Sequence, residues 1–254
     1  MILDSFRLDG RVAMVTGGNR GLGAAYAMAL AEAGADLALL CRSDPQATAA
    51  RIAATGRRVV HVPADLATAG PAELAAAVET VVERLGRLDI LVNNAGIIRR
   101  APAAEITAQD WDEVMTVDLD AVFHLCQAAG RLMLARGGGR IINVASMLTF
   151  QGGIRVAGYA AAKHAVAGLT KALANEWAAA GVNVNAVAPG YIATDNTAPL
   201  RADPVRAAAI SDRIPAGRWG TPEDLMGVVV FLASDAARYV HGAVIPVDGG
   251  WLAR

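Results

Sequence analysis

Hydrophobic positions along the chain fall into two alternating kinds of segment. Short runs rich in β-branched residues occur at 11–16, 36–41, 58–62, 88–93, 140–146, 182–188 and 243–247. Most are continuously apolar, the pattern of strands covered on both faces. Longer alanine-rich stretches at 21–33, 45–56, 71–86, 107–135, 158–180 and 221–235 predict helices. Thr107 with Asp110, and Thr221 with Asp224, mark helix starts, while Gly34, Gly56 and Gly181 stand where helices should end. The alternation predicts an α/β fold: one doubly wound domain over 1–254, with a seven-stranded parallel sheet, right-handed crossovers and helices on both faces. The connection at about 190–220 breaks the rhythm and reads as a substrate loop or lid, with a short helix expected in 203–214.

Composition narrows the partners. The 254 residues carry 23 basic and 24 acidic side chains, a net charge of −1, which excludes an electrostatic grip on nucleic acid. A hydrophobic content of 54% raises the question of membranes. The longest apolar runs, such as 24–31, fall far short of the roughly 18 residues a spanning helix needs. Residues 1–10 hold Asp4, Arg7 and Asp9 and lack the apolar stretch of a signal peptide. Cys41 and Cys126 have no paired ligand spacing and read as reduced thiols of a cytoplasmic protein. The four histidines form no metal-binding cluster, so no metal is expected. Only Lys163 and Lys171 are lysines; the other 21 basic residues are arginines.

The first strand runs into Thr16-Gly17-Gly18-Asn19-Arg20-Gly21-Leu22-Gly23 and then a helix. Gly17, Gly21 and Gly23 permit a tight turn, close approach of a pyrophosphate and close packing of helix on strand. Asn19, Arg20 and Leu22 complete the loop, and the helix N-terminus offers free N–H groups to phosphate. The spacing is GxxxGxG rather than GxGxxG, in the strand–turn–helix setting of a Rossmann-type dinucleotide site. An acid at the end of the second strand would select NAD(H) through the ribose hydroxyls. Here that end reads Leu39-Leu40-Cys41-Arg42-Ser43. Arg42, assisted by Arg20, suits a 2′-phosphate and favours NADP(H); the alternative is two solvated surface arginines. Asp65, followed by Leu66, stands after the third strand, where its carboxylate could accept the adenine amino group; the alternative is a simple loop acid. Asn93-Asn94-Ala95-Gly96 ends the fourth strand at the same sheet edge, with Asn93, Ala95 and Gly96 as further cofactor candidates.

The strongest constellation is Ser146, Tyr159 and Lys163. Tyr and Lys at i and i+4 share a helix face, and Ser146 ends the fifth strand beside the same cleft. A phenol with a pKa of about 10 is a poor acid–base catalyst at neutral pH. An adjacent ammonium stabilises the phenolate, and a lysine also suits a point contact to ribose hydroxyls.

On these residues the chain resembles the short-chain dehydrogenase/reductase family over essentially its whole length. The carriers are the glycine loop, Asn93-Asn94-Ala95-Gly96, Ser146, Tyr159-x-x-x-Lys163 and Pro189-Gly190. The resemblance implies that Ser146 polarises a carbonyl or alcohol, Tyr159 transfers the proton, and Lys163 holds the ribose and lowers the Tyr159 pKa. It implies that Pro189, Gly190, Ile192 and Thr194 belong to the loop that fixes the nicotinamide carboxamide. The family often places Asn in the helix before the fifth strand, where it helps hold a water in a proton relay; Asp118 occupies that place here. The long helices at 107–135 and 158–180 resemble the family's dimerising pair, which implies a homotetramer.

Further segments narrow the resemblance. Gly96-Ile97-Ile98-Arg99-Arg100, residues 146–155, Ala174-Asn175-Glu176-Trp177, residues 213–220 and Val247-Asp248-Gly249-Gly250-Trp251 are similar to the 2-dehydro-3-deoxy-D-gluconate 5-dehydrogenase group. That implies a deoxy sugar acid as substrate, hydride exchange between its secondary alcohol or ketone and a nicotinamide, and NAD(H) in many members. Arg99, Arg100 and Arg155 follow strand ends where ligands bind, and a guanidinium can hold a carboxylate through two parallel hydrogen bonds. Gln151 and Asn196 are candidate hydroxyl partners. Two other readings stay open: a reductase of the same fold acting on a 3-oxoacyl thioester or polyol, and a non-catalytic dinucleotide-binding protein.

Overall fold

The computed structural model describes residues 1–254. In chain order the elements are β1 (Val12–Thr16), α1 (Gly21–Glu32), β2 (Asp36–Cys41), α2 (Gln46–Ala53), β3 (Val59–Pro63), α3 (Pro71–Leu85), β4 (Ile90–Asn93), α4 (Ala108–Met115), α5 (Ala121–Arg136), β5 (Gly139–Val144), α6 (Ala157–Trp177), β6 (Val182–Pro189), α7 (Ala198–Arg201), α8 (Pro204–Arg213), α9 (Met226–Ala233) and β7 (Val244–Val247). All seven strands are parallel, in the order β3-β2-β1-β4-β5-β6-β7. This is the doubly wound α/β sheet expected from the apolar runs.

Strand geometry sorts those runs into two cores, because successive side chains point to opposite faces. Val12, Met14, Ala38, Leu40, Leu91 and Ile141 face a core completed by α3, α5 and α6, through residues such as Leu74, Leu125 and Val166. Ala13, Val15, Leu37, Leu39, Ile90, Val92, Ile142 and Val144 face the other, completed by α1, α2 and α9 through Tyr26, Ile52 and Leu232. Chain order reverses between β1 and β4, so a crevice opens above their C-terminal ends, where ligands of such sheets bind. Thr16 braces it. Its hydroxyl accepts from the amides of Asn94 and Ala95, and its carbonyl accepts from the Asn94 side chain, all at 2.9 Å.

Two expectations change. The stretch expected as one helix at 107–135 starts at its predicted Thr107 cap, whose side chain accepts from Asp110 N. It is then interrupted: Thr116–Asp120 forms a π turn, in which the amide of Ala121 reaches back to Thr116 O. Such a turn carries one extra residue, and π turns occur frequently at functional sites. The fifth strand stops at Val144 rather than reaching Ser146, which instead caps a 3-10 turn, Met147–Thr149.

The connection after β6 holds α7 and α8, the latter where 203–214 suggested a helix. It is tied at its base by Ala193 N to Gly220 O (2.8 Å) and Gly220 N to Tyr191 O (2.9 Å). Its far end rests on the chain's last residues. The Arg213 guanidinium lies 4.0 Å above the Trp251 ring, Tyr191 packs edge-on against both Trp251 and Trp219, and Arg254 donates to the carbonyls of Asp212 and Arg213. Those carbonyls belong to the last turn of α8, where no intrahelical donor remains.

Candidate active site

A cleft of about 600 Å³ follows the C-terminal edge of the sheet from the ends of β2 and β3, past the β1/β4 crevice, to the ends of β5 and β6. Its walls include Gly17, Asn19, Arg20, Gly21, Leu22 and Gly23 of the glycine loop, Arg42 and Ser43 after β2, and Asp65 and Leu66 after β3. Ala95 and Gly96, then Ser146, Tyr159 and Lys163, then Pro189, Gly190, Ile192 and Thr194 continue it. The cradle requires its glycines. A Cβ on Gly23 would stand 2.2 Å from Gly17 O and 2.5 Å from the Asn94 amide nitrogen, so no other residue lets α1 start this close to the β1 turn.

Ser146, Tyr159 and Lys163 meet at one end. Ser146 is buried, and its hydroxyl accepts from Leu148 N at 3.1 Å. Thr149 joins the group: its hydroxyl accepts from Ser146 N at 3.3 Å and donates to Lys163 O at 2.9 Å, fastening the Ser146 turn to α6. The Ser-x-x-Thr spacing, a variant of the capping box, is the sequence signal for this brace. The Lys163 ammonium lies 5.5 Å from the centre of the Tyr159 ring, is 3% exposed as a residue, and donates to Val144 O at 2.9 Å.

Asp118, in the π turn, is fully buried. Its Oδ1 accepts from Ile97 N at 2.8 Å, and its Oδ2 lies 3.2 Å from Lys163 Nζ. Lys163 donates to Val144 O, and no aligned donor meets Oδ2, which is left with a charge contact to the ammonium. Asp118 also fills the space beside Gly96, where a Cβ would come within 2.9 Å of Oδ2. Burial pushes the Asp118 carboxyl upward, against the pull of the ammonium. Burial also works against the Lys163 charge, but Asp118 and Tyr159 outweigh it and hold the ammonium protonated. For Tyr159 burial is the largest influence and raises the phenol above its usual value; Lys163 opposes this, and Asp118 adds to it. The ammonium thus favours the phenolate in the expected direction, against the larger opposing effect of burial.

Several candidates lie elsewhere than expected. Asn93 does not reach the cleft. Its amide donates to Asn143 Oδ1 (2.9 Å) and Cys126 Sγ (3.2 Å), tying β4 to β5, while its neighbour Asn94 lines the wall. Gln151 and Arg155 are outside the cleft as well; Arg155 is exposed on a turn with φ of +64°. Arg99 lines it, but its guanidinium is engaged by Glu113 at 2.6 Å and Asp110 at 3.6 Å. Arg100 is not among the lining residues either; it has no acidic partner and donates to the carbonyl of Asn196, which does line the cleft, at 3.0 Å, and its charge reaches Tyr159 and favours the phenolate. The Asp65 carboxylate, expected for adenine, accepts from Arg42 at 3.3 Å and from Ala67 N at 3.1 Å. Arg20 pairs with Asp195 at 3.3 Å across the cleft mouth. No helix is long and apolar enough to cross a membrane.

Known proteins are similar to the chain over its whole length. A family model described as enoyl-(acyl carrier protein) reductase matches residues 17–252. The chain is 53% identical to the 2-dehydro-3-deoxy-D-gluconate 5-dehydrogenase of Escherichia coli over 255 residues, all of both chains. A crystal structure of a candidate 2-deoxy-D-gluconate 3-dehydrogenase from Agrobacterium tumefaciens, with bound NADP, superposes with a TM-score of 0.92 at 55% identity, covering 98% of this chain and 99% of that one. A gluconate 5-dehydrogenase from Burkholderia cenocepacia, in complex with NADP and tartrate, gives a TM-score of 0.95 at 42% identity, covering both chains fully. With a matching family model across nearly the whole chain, and relatives this similar end to end, the chain belongs to the short-chain dehydrogenase/reductase family.

Proposed function

We propose that the protein is an NADP(H)-preferring oxidoreductase that interconverts a secondary alcohol and a ketone on a deoxy sugar acid of the 2-dehydro-3-deoxy-D-gluconate type. The observation that carries this reading is one continuous cleft, with a phosphate-sized glycine cradle and Arg42 at one end and Ser146, Tyr159 and Lys163 at the other. The names of the relatives supply the substrate class.

The cradle, Arg42 and the β6 loop would hold the dinucleotide, which when bound supplies or accepts the hydride. Ser146 donates a hydrogen bond to the reacting oxygen and orients it. Tyr159 gives that oxygen its proton in reduction and takes it in oxidation. Lys163 keeps a positive charge beside the phenol and offers its remaining hydrogens to ribose hydroxyls. The substrate carboxylate is assigned to Arg100, since Arg99 is already neutralised by Glu113 and Asp110. A cytoplasmic location and a homotetramer complete the reading; the exposed Trp111 on α4 and Phe123 on α5 support self-association.

Arg42 should decide the cofactor. Its pair with Asp65 is long and mostly exposed, worth little, and easily exchanged for a 2′-phosphate dianion. Arg42→Ala should lower kcat/KM for NADPH by about 10- to 100-fold, the worth of a charged hydrogen bond, and leave NADH nearly unchanged. Steady-state kinetics with both cofactors measure this; an equal loss with NADH would remove Arg42 from the phosphate site. The function itself is tested by initial rates of NADPH and NADH oxidation with 3-deoxy-2,5-diketogluconate, beside an acetoacetyl thioester. Fast turnover of the diketo acid alone is expected. Thioester turnover with an inert diketo acid would move the protein to a different substrate class.

A further inference from the structure

A buried carboxylate stands against the ammonium that faces Tyr159. The π turn aims Asp118 inward, the Ile97 amide pins one of its oxygens, and the other lies 3.2 Å from Lys163 Nζ. Neither partner has water to screen it: the two side chains are 0% and 4% exposed. A full negative charge so close to Nζ offsets part of the positive field that the lysine would otherwise apply to the phenol.

We propose that Asp118 is a positioning residue acting through Lys163: its carboxylate anchors the ammonium and offsets its charge, and so moves the pH dependence of the reaction upward. The inference rests on the reading of Tyr159 as the proton-transferring group. The neighbouring ionisable groups leave Asp118 as the adjustable one. From α6 it faces Lys163 and Tyr159. On α4, Glu113 is held by Arg99 and Gln109. On α5, His124 lies edge-on against Phe123 and Cys126 is bonded into the asparagine pair of β4 and β5. After β4, Arg100 acts on Tyr159 but forms no ion pair with Asp118. In its own turn, Asp120 is exposed.

The sign follows from the oxidation direction, in which Tyr159 must be phenolate and the rate rises with pH through its ionisation. Asp118→Asn keeps the shape and can still accept from Ile97 N, but carries no charge; the Val144 carbonyl and the Tyr159 phenolate itself continue to hold the ammonium charged, so the lysine's field on the phenol is no longer offset. The acidic limb of the kcat–pH profile should move down by about one pH unit or more. The tyrosinate absorbance that Tyr159→Phe removes should move by the same amount. Asp118→Ser, smaller and also uncharged, should shift both in the same direction. Profiles that stay in place or move upward would overturn the inference. Should neither variant fold, infrared spectra of the intact protein with 13C-labelled aspartate decide it: a carboxylate at Asp118 at neutral pH is required, and a protonated acid there overturns it. Loss of the underlying reading is separate, since it would show as an active Tyr159→Phe.

Discussion

Tyr159→Phe should lower turnover by about a thousandfold, within the range that a positioned acid–base group contributes. The phenol is the one side chain that lies in the cleft wall beside Ser146, carries a proton at neutral pH and is coupled to the only buried lysine. Removing a single oxygen leaves the ring packing on α6 and the glycine cradle alone. Fluorescence titration should therefore find NADPH bound almost as before, while steady-state assays find almost no rate. A variant that turned over normally would remove Tyr159 from the chemistry.

Lys163→Ala should have the second large effect, on two observables at once. It takes the charge from beside the phenol and the candidate ribose contact from the cleft, so both kcat and cofactor affinity should fall. It also leaves Asp118 buried without a counter-charge, and breaking one side of a buried pair costs about 3–5 kcal/mol of stability. Burial already raises the Asp118 carboxyl and the ammonium is what opposes it. In the variant the folded protein therefore binds a proton more tightly than the unfolded chain does. Stability then falls as pH rises, so the deficit is largest at neutral pH and above, and shrinks as pH drops through the raised value of Asp118. Urea denaturation across pH measures it. Adding Asp118→Asn should restore most of the lost stability but not the turnover, which separates the structural charge from the catalytic one.

What the sequence made legible divides along physical lines. The apolar runs fixed the strands because both faces are covered, and glycine spacing located the cradle because only glycine fits where Gly23 meets Gly17. Asn93 and Asn94 were not resolved from each other. Leu91 and Val92 face opposite cores, so pleat parity turns Asn93 back beside Leu91, toward Cys126, and leaves Asn94 for the cleft. That parity is present in the alternation of β4 itself. The π turn was not available: buried Val114, Val117, Ala121 and Leu125 keep a helical spacing across it, so 107–135 read as one helix. Among the arginines, charge alone did not separate Arg99 from Arg100. The difference lies in Asp110 and Glu113, whose i and i+3 spacing on α4 puts two acids on the face that receives Arg99.

The burial of Lys163 has a practical side that follows from how few lysines there are. Lys171, farther along α6, is exposed. An amine-directed acylating reagent thus meets one exposed side chain on the folded surface, while Lys163, 3% exposed, is reached only through the cleft that would hold the dinucleotide. Slower labelling of Lys163 when dinucleotide is added would report that the cleft is filled, with Lys171 on the same helix serving as its internal standard.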